Sequence, residues 1–125
     1  MRTPINASKF ILIKKAFERN GGDMLSSTEL DEYLDKRGAN AITLSDKIII
    51  FRHGSPPTAS ELFEELIHTS QFSKGRVSTE VTVELEIEAK EKLIRNQKQY
   101  SIPDHENEQT KNQLLELIQL LNKGR

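Results

Sequence analysis

The chain contains no cysteine. Disulfide staples, cysteine-ligated zinc and thiol catalysis are thereby excluded, and the redox compartment is left open. It also lacks an excess of charge of either sign: 18 basic side chains face 19 acidic ones, for a net charge of −1. Such a balance supplies no field to draw in nucleic acid or an acidic membrane, so neither nucleic-acid binding nor membrane insertion is expected. No stretch approaches the ~18 apolar residues of a membrane-spanning helix, and the longest apolar run, Ile48-Ile49-Ile50-Phe51, has the length of a strand. The N-terminal stretch shows no apolar segment with a cleavage site, so no signal peptide is expected and export would rely on something outside this chain. Internal repeats and low-complexity stretches are missing as well.

What is present reads as one domain over residues 1–125, long enough for one core but not for two. Lys9 to Arg19 carries Phe10, Ile13 and Phe17 in one helical stripe, with Leu12 and Ala16 beside it, and Asn20-Gly21-Gly22 stops it. Ser26 with Glu29 forms a capping box for a second helix bearing Leu30, Tyr33 and Leu34, which Gly38 ends. These N-terminal helices occupy 1–38. Ala41–Leu44 and Lys47–Phe51 flank Ser45-Asp46 and predict a β-hairpin. His53-Gly54-Ser55-Pro56-Pro57 breaks the pattern, and Thr58 with Glu61 caps a third helix that ends near Ser73-Lys74-Gly75. Val81 to Glu88 alternates like a strand, yet no turn residue separates it from the helical pattern that follows, so a helix over about 80–98 is predicted. The hairpin and these two helices fill 39–100. A last helix over 101–125, begun at Ser101-Ile102-Pro103-Asp104, has Leu114, Leu117, Ile118 and Leu121 as its packing face. The expected fold is α+β, mostly helical, with a small hairpin sheet just before the third helix.

That third helix carries the densest chemistry. Glu64, His68 and Gln71 stack at i, i+4 and i+7 on one face, while Leu62, Phe63, Leu66 and Ile67 form the opposite, buried one. A glutamate and a histidine one turn apart can share a metal ion, and Glu65 beside them can act on a bound water as general base. The spacing is that of H-E-x-x-H, with Glu64 standing at the first histidine position. A Glu/His/Glu set is harder than a histidine pair and less selective for zinc against other divalent ions.

The third ligand is sought on the next helix. There Leu85, Ala89, Leu93, Val83, Ile94 and Ile87 make an apolar arc, and Glu86 falls near its middle, whereas Glu84, Glu88, Glu91, Lys92 and Arg95 lie outside it. A carboxylate so placed needs a cation or a hydrogen-bond network. A metal shared with Glu64 and His68 supplies one, and Lys90 is the alternative partner. The chain from His68 to Glu86 is long enough for a turn at Gly75 and an antiparallel return. The metal set is therefore Glu64, His68 and Glu86, with Glu65 as base, and Glu88 ranks second as a ligand. Gln71 and His53 are candidates for orienting ligands or meeting substrate.

In Glu61-Leu62-Phe63-Glu64-Glu65-Leu66-Ile67-His68, Gln71-Phe72, Gly75 and Glu86-Ile87-Glu88-Ala89, the chain resembles zincin-like metallopeptidase toxin domains of bacterial polymorphic toxins. The resemblance covers about Gly38 to Gln99. It implies a small zinc-dependent hydrolase acting on peptide or protein, with His68 and Glu86 as ligands and Glu65 as general base. It further implies release from a longer secreted chain and a cognate immunity protein as partner. Location is accordingly cytoplasmic, or delivered as part of a longer toxin.

Two other classes stay open on the residues alone. One is a metal-free nuclease toxin, with Glu65 and His68 as acid and base and Arg52 or Arg76 on phosphate; the balanced charge argues against it. The other is an inert interaction module that keeps a zincin scaffold without its metal. His105, beside Asp104, reads as exposed, Tyr33 as core, and Tyr100 as a spare hydrogen-bond donor.

Overall fold

The computed structural model describes residues 2–124. Helix α1 (Ala7–Arg19) opens on Asn6, whose side chain accepts from the Lys9 amide. Phe10, Ile13 and Phe17 turn onto the core, and Phe10 meets Phe51 edge to face at 5.9 Å. Leu12 instead faces solvent. At the stop that follows, a side chain on Gly22 would come within 2.5 Å of the Phe17 ring, so only glycine lets the chain fold back over that ring.

Next comes a strand that the sequence pattern does not announce, β1 (Asp23–Leu25). Three residues are too few to show an alternation, and the strand exists because a partner lies beside it. Helix α2 (Thr28–Arg37) begins one residue later than the Ser26/Glu29 box predicts: Ser27, in extended conformation, is the cap and accepts from the Leu30 amide at 3.2 Å. Ser26 is used up as the link from β1. Gly38, at φ +61°, ends the helix in the left-handed region where a side chain is strained.

The predicted hairpin is present as β2 (Ala41–Thr43) and β3 (Ile48–Phe51), antiparallel with Ile42 opposite Ile50. β1 pairs parallel to the other side of β3, giving the order β1-β3-β2. The central strand can be uniformly apolar because both of its faces are covered, and Ile49, Ile50 and Phe51 are all buried.

Helix α3 (Ala59–Ser73) starts with the complete Thr58/Glu61 capping box. Arg2 grips the same Glu61 with Nε at 3.0 Å and Nη2 at 2.6 Å, and donates to Ser55 as well. Helix α4 (Val83–Arg95) follows, its cap Thr82 accepting from the Leu85 amide. The strand-like alternation of 81–88 is thus helical from Val83 on, and the chain beyond Arg95 turns rather than continuing to 98. Helix α5 (Asp104–Lys123) buries its polar start, Glu106, Asn107 and Thr110, and leaves its leucine stripe half-buried at Leu114, Leu117 and Leu121, with Ile118 exposed. Glu106 is drawn inward because it accepts from the amide and hydroxyl of Ser60 at the start of α3, at 3.0 and 2.8 Å.

The fold is α+β, five helices and a three-stranded mixed sheet that precedes α3 among the described residues. α3 lies between β2 on one side and α4 on the other, and its buried residues include Leu62 and Ile67 as well as Glu65, His68, Thr69 and Gln71. Its polar face is therefore inside the protein. No helix of the described residues is long and apolar enough to cross a membrane.

Candidate metal centre

Glu64, Glu65 and His68 each offer a ligand atom, and the three atoms lie within 4.8 Å of one another. They can hold a metal ion. With bonds of ~2.1 Å, ligands of a tetrahedral ion sit roughly 3.4 Å apart, so the set must draw together to close on an ion.

The imidazole is the best-defined member. His68 is 3% exposed, and its Nδ1 lies 2.7 Å from Gln71 Oε1. The Gln71 amide cannot turn over, since its nitrogen already donates to the Leu85 carbonyl (3.0 Å) and to Glu88 (3.2 Å). Its oxygen must therefore face the ring, which makes Nδ1 the protonated nitrogen and leaves Nε2 for a ligand. Nε2 is buried and has no hydrogen bond. Glu86 Oε1 stands 3.4 Å away, at ion-pair distance without hydrogen-bond alignment. Burial alone would lower the histidine pKa. The Glu86 carboxylate, with Glu65 and Gln71, outweighs it and raises the pKa to about 9. Glu86, which burial would push up, is held below the usual carboxylate range by His68.

Glu65 behaves differently. Burial, with Glu64 beside it, pushes its pKa up to about 8. The Thr43 hydroxyl on β2 lies 2.9 Å from Glu65 Oε1 and 3.0 Å from the Glu65 carbonyl. The hydroxyl is the donor in both contacts and is shared between the two Glu65 oxygens. Burial of Glu65 and the carboxylates around His68 thus favour the protonated form of each, beside an ionised Glu86. A metal taking Nε2 must first displace the proton there.

One expected partnership is rearranged. Lys90, the alternative partner for Glu86, forms its ion pair with Glu64 instead. Glu86 is half-buried, not enclosed. Glu88 lies outside the three-residue cluster, pairing with Arg76 at 2.5 Å and with Gln71. His53 is exposed and engages α2 through its backbone amide and Asp31, and His105 is exposed too. Arg52 is bound to Asp35 at 2.7 Å and to the Ala39 carbonyl, so both cations that a nuclease would place on phosphate are occupied. Tyr100 stacks on Phe63 at 4.3 Å. Tyr33 is not core: it is half-buried and lines a cavity with the cluster.

Two cavities, of about 640 and 500 Å³, share Ala39, Ala41, Glu64 and Glu65. The smaller also reaches His68, Glu86 and Tyr33. Sequence reasoning missed Thr43, Arg37 and the Lys90–Glu64 pair. Thr43 was the one legible of these, as a lone hydroxyl in an apolar hairpin. No known protein family, characterised protein or solved structure matches the chain.

Proposed function

We propose that this chain is a zincin-like, metal-dependent hydrolase, a peptidase-type effector domain of a bacterial toxin. The observation that carries this reading is the buried Nε2 of His68, left without a hydrogen bond while Gln71 fixes the ring's other nitrogen. His68, Glu64 and Glu86 would hold zinc or another divalent ion, and Glu65 would act as general base. Bound there, the metal supplies a Lewis acid for the scissile carbonyl and for water. The chain does the rest. Burial raises the Glu65 pKa in the metal-free pocket. Beside the charge of a divalent ion that pKa would fall again, so that Glu65 ionises and can accept a proton from water and pass it to a leaving amine. Glu86 Oε1, 3.4 Å from Nε2, already has the spacing of two ligands on one ion. Strand β2 lies at the sheet edge and borders both cavities, which suits pairing with an extended peptide. Delivery within a longer chain and neutralisation by an immunity protein follow from the motif resemblance.

Metal content by plasma mass spectrometry tests the proposal. Wild type should carry about one zinc or manganese per chain, and His68→Ala none. Absence of metal from the wild type, even after zinc titration, would sink it. A second reading, the inert interaction module, is favoured by one observation: the Lys90 ammonium already neutralises Glu64. The same experiment decides between them.

A further inference from the structure

The cavity of about 500 Å³ that reaches His68 and Glu86 is lined by four carboxylates, Glu64, Glu65, Glu80 and Glu86. Apart from His68, Arg37 is the one cationic side chain on its wall. Its guanidinium carbon sits 3.5 Å from the centre of the Tyr33 ring, and Nη1 lies 3.4 Å from the Tyr33 carbonyl that accepts from it. One face of the guanidinium is thus stacked and one nitrogen engaged, which restricts the group, while no hydrogen bond among the described residues takes up Nε or Nη2. Arg2, Arg52, Arg76 and Lys90 are each paired with a carboxylate. No carboxylate of the described residues lies within 4.0 Å of Arg37.

An exposed fork without a carboxylate partner among the described residues, on the wall of the cavity that also reaches the candidate metal centre, is suited to an incoming anion. The free Nε and Nη2 pair matches the two oxygens of a carboxylate. We infer that Arg37, stacked on Tyr33, holds a carboxylate of the peptide substrate next to the metal centre. The inference rests on the hydrolase reading and deepens it by naming the substrate class: peptides with a carboxylate close to the scissile bond. That carboxylate comes either from an acidic side chain or from a free C-terminus.

Calorimetric titration of hydroxamates into the zinc-loaded full chain tests this and separates it from the reading beneath it. Acetohydroxamate probes the metal alone. Three hydroxamoyl dipeptides add, in turn, a glutamine amide, a glutamate amide and a neutral residue with a free C-terminus. At least one carboxylate-bearing dipeptide should bind about tenfold more tightly than the glutamine amide, and which one gains identifies the source. The gain should vanish in Arg37→Met and persist in part in Arg37→Lys, at unchanged zinc content. If acetohydroxamate binds but no carboxylate gains, or the gain survives in Arg37→Met, the assignment to Arg37 is overturned and the metal centre stands. If acetohydroxamate fails to bind, the hydrolase reading falls and takes this assignment with it.

Discussion

Glu65 and Glu86 flank the same imidazole in different surroundings, and the proposed hydrolase gives them different roles. Glu65 is enclosed against Thr43, with its pKa raised to about 8. Glu86 is half-buried and kept ionised by His68. A group that holds its proton near neutral pH suits proton transfer, whereas a stable carboxylate suits a cation. Glu65→Gln imitates the neutral carboxyl, so it should keep zinc while lowering peptide hydrolysis roughly 100-fold or more. Glu86→Gln should instead weaken zinc binding. Parallel zinc titration and turnover assays of the two variants check this. Loss of zinc from Glu65→Gln, with retention in Glu86→Gln, would make the close-set group Glu64, Glu65 and His68 the ligands and leave the base unassigned.

Between elements, the orientation of α3 depends on contacts at its first turn. Glu106 reaches from α5 to the Ser60 amide and hydroxyl, where a carboxylate also meets the positive end of the helix dipole. Glu106→Ala would leave two donors without their charged acceptor, and a loss of about 2–3 kcal/mol in stability is expected from hydrogen bonds of this kind. Chemical denaturation measures it, and an unchanged midpoint would remove α5 from the forces holding α3. Such a contact is hidden from a reading of α5 alone, where residues 104–111 look too polar to pack. What was legible follows the same division between local and remote. The Thr58/Glu61 box, the Gly38 stop and the helical character of 83–95 depend on near neighbours in the chain, and they can be read there. The cap of α2 was misplaced because two serines in succession offer the same hydroxyl, and only β1 decides between them. β1 itself needs β3 as partner. The wheel of α4 puts Glu86 in the apolar arc, where the fold leaves it half-buried, and it cannot show that Lys90 crosses to Glu64 on α3 while Glu86 meets His68.

Across the molecule, these buried charges set a pH dependence that a metal should reverse. Glu65 rises from 4.5 to about 8 and His68 from 6.5 to about 9, so the folded chain binds both protons more tightly than the unfolded chain does. Stability from such groups is complete below the unfolded values and is lost as pH rises through the folded ones. Glu61, Glu86 and Glu88 are shifted down, with the opposite sense: what they contribute is lost as pH falls below their ordinary 4.5. Metal-free protein should therefore be most stable at about pH 5 and lose stability towards alkaline pH. The loss is steepest between 6.5 and 8, where the folded chain holds both protons and the unfolded chain has released them. Zinc competes with the proton on Nε2, so its stabilisation should grow over that same interval. Thermal unfolding in chelator and in excess zinc, taken across this range, gives both curves. A melting temperature in chelator that stays level from pH 6.5 to 9 would mean that His68 and Glu65 do not hold their protons in the fold. A zinc increment that fails to rise with pH would mean that the ion binds somewhere other than Nε2. His68→Gln serves as the reference: it should abolish the zinc increment and leave in chelator only the Glu65 slope, which ends at about pH 8.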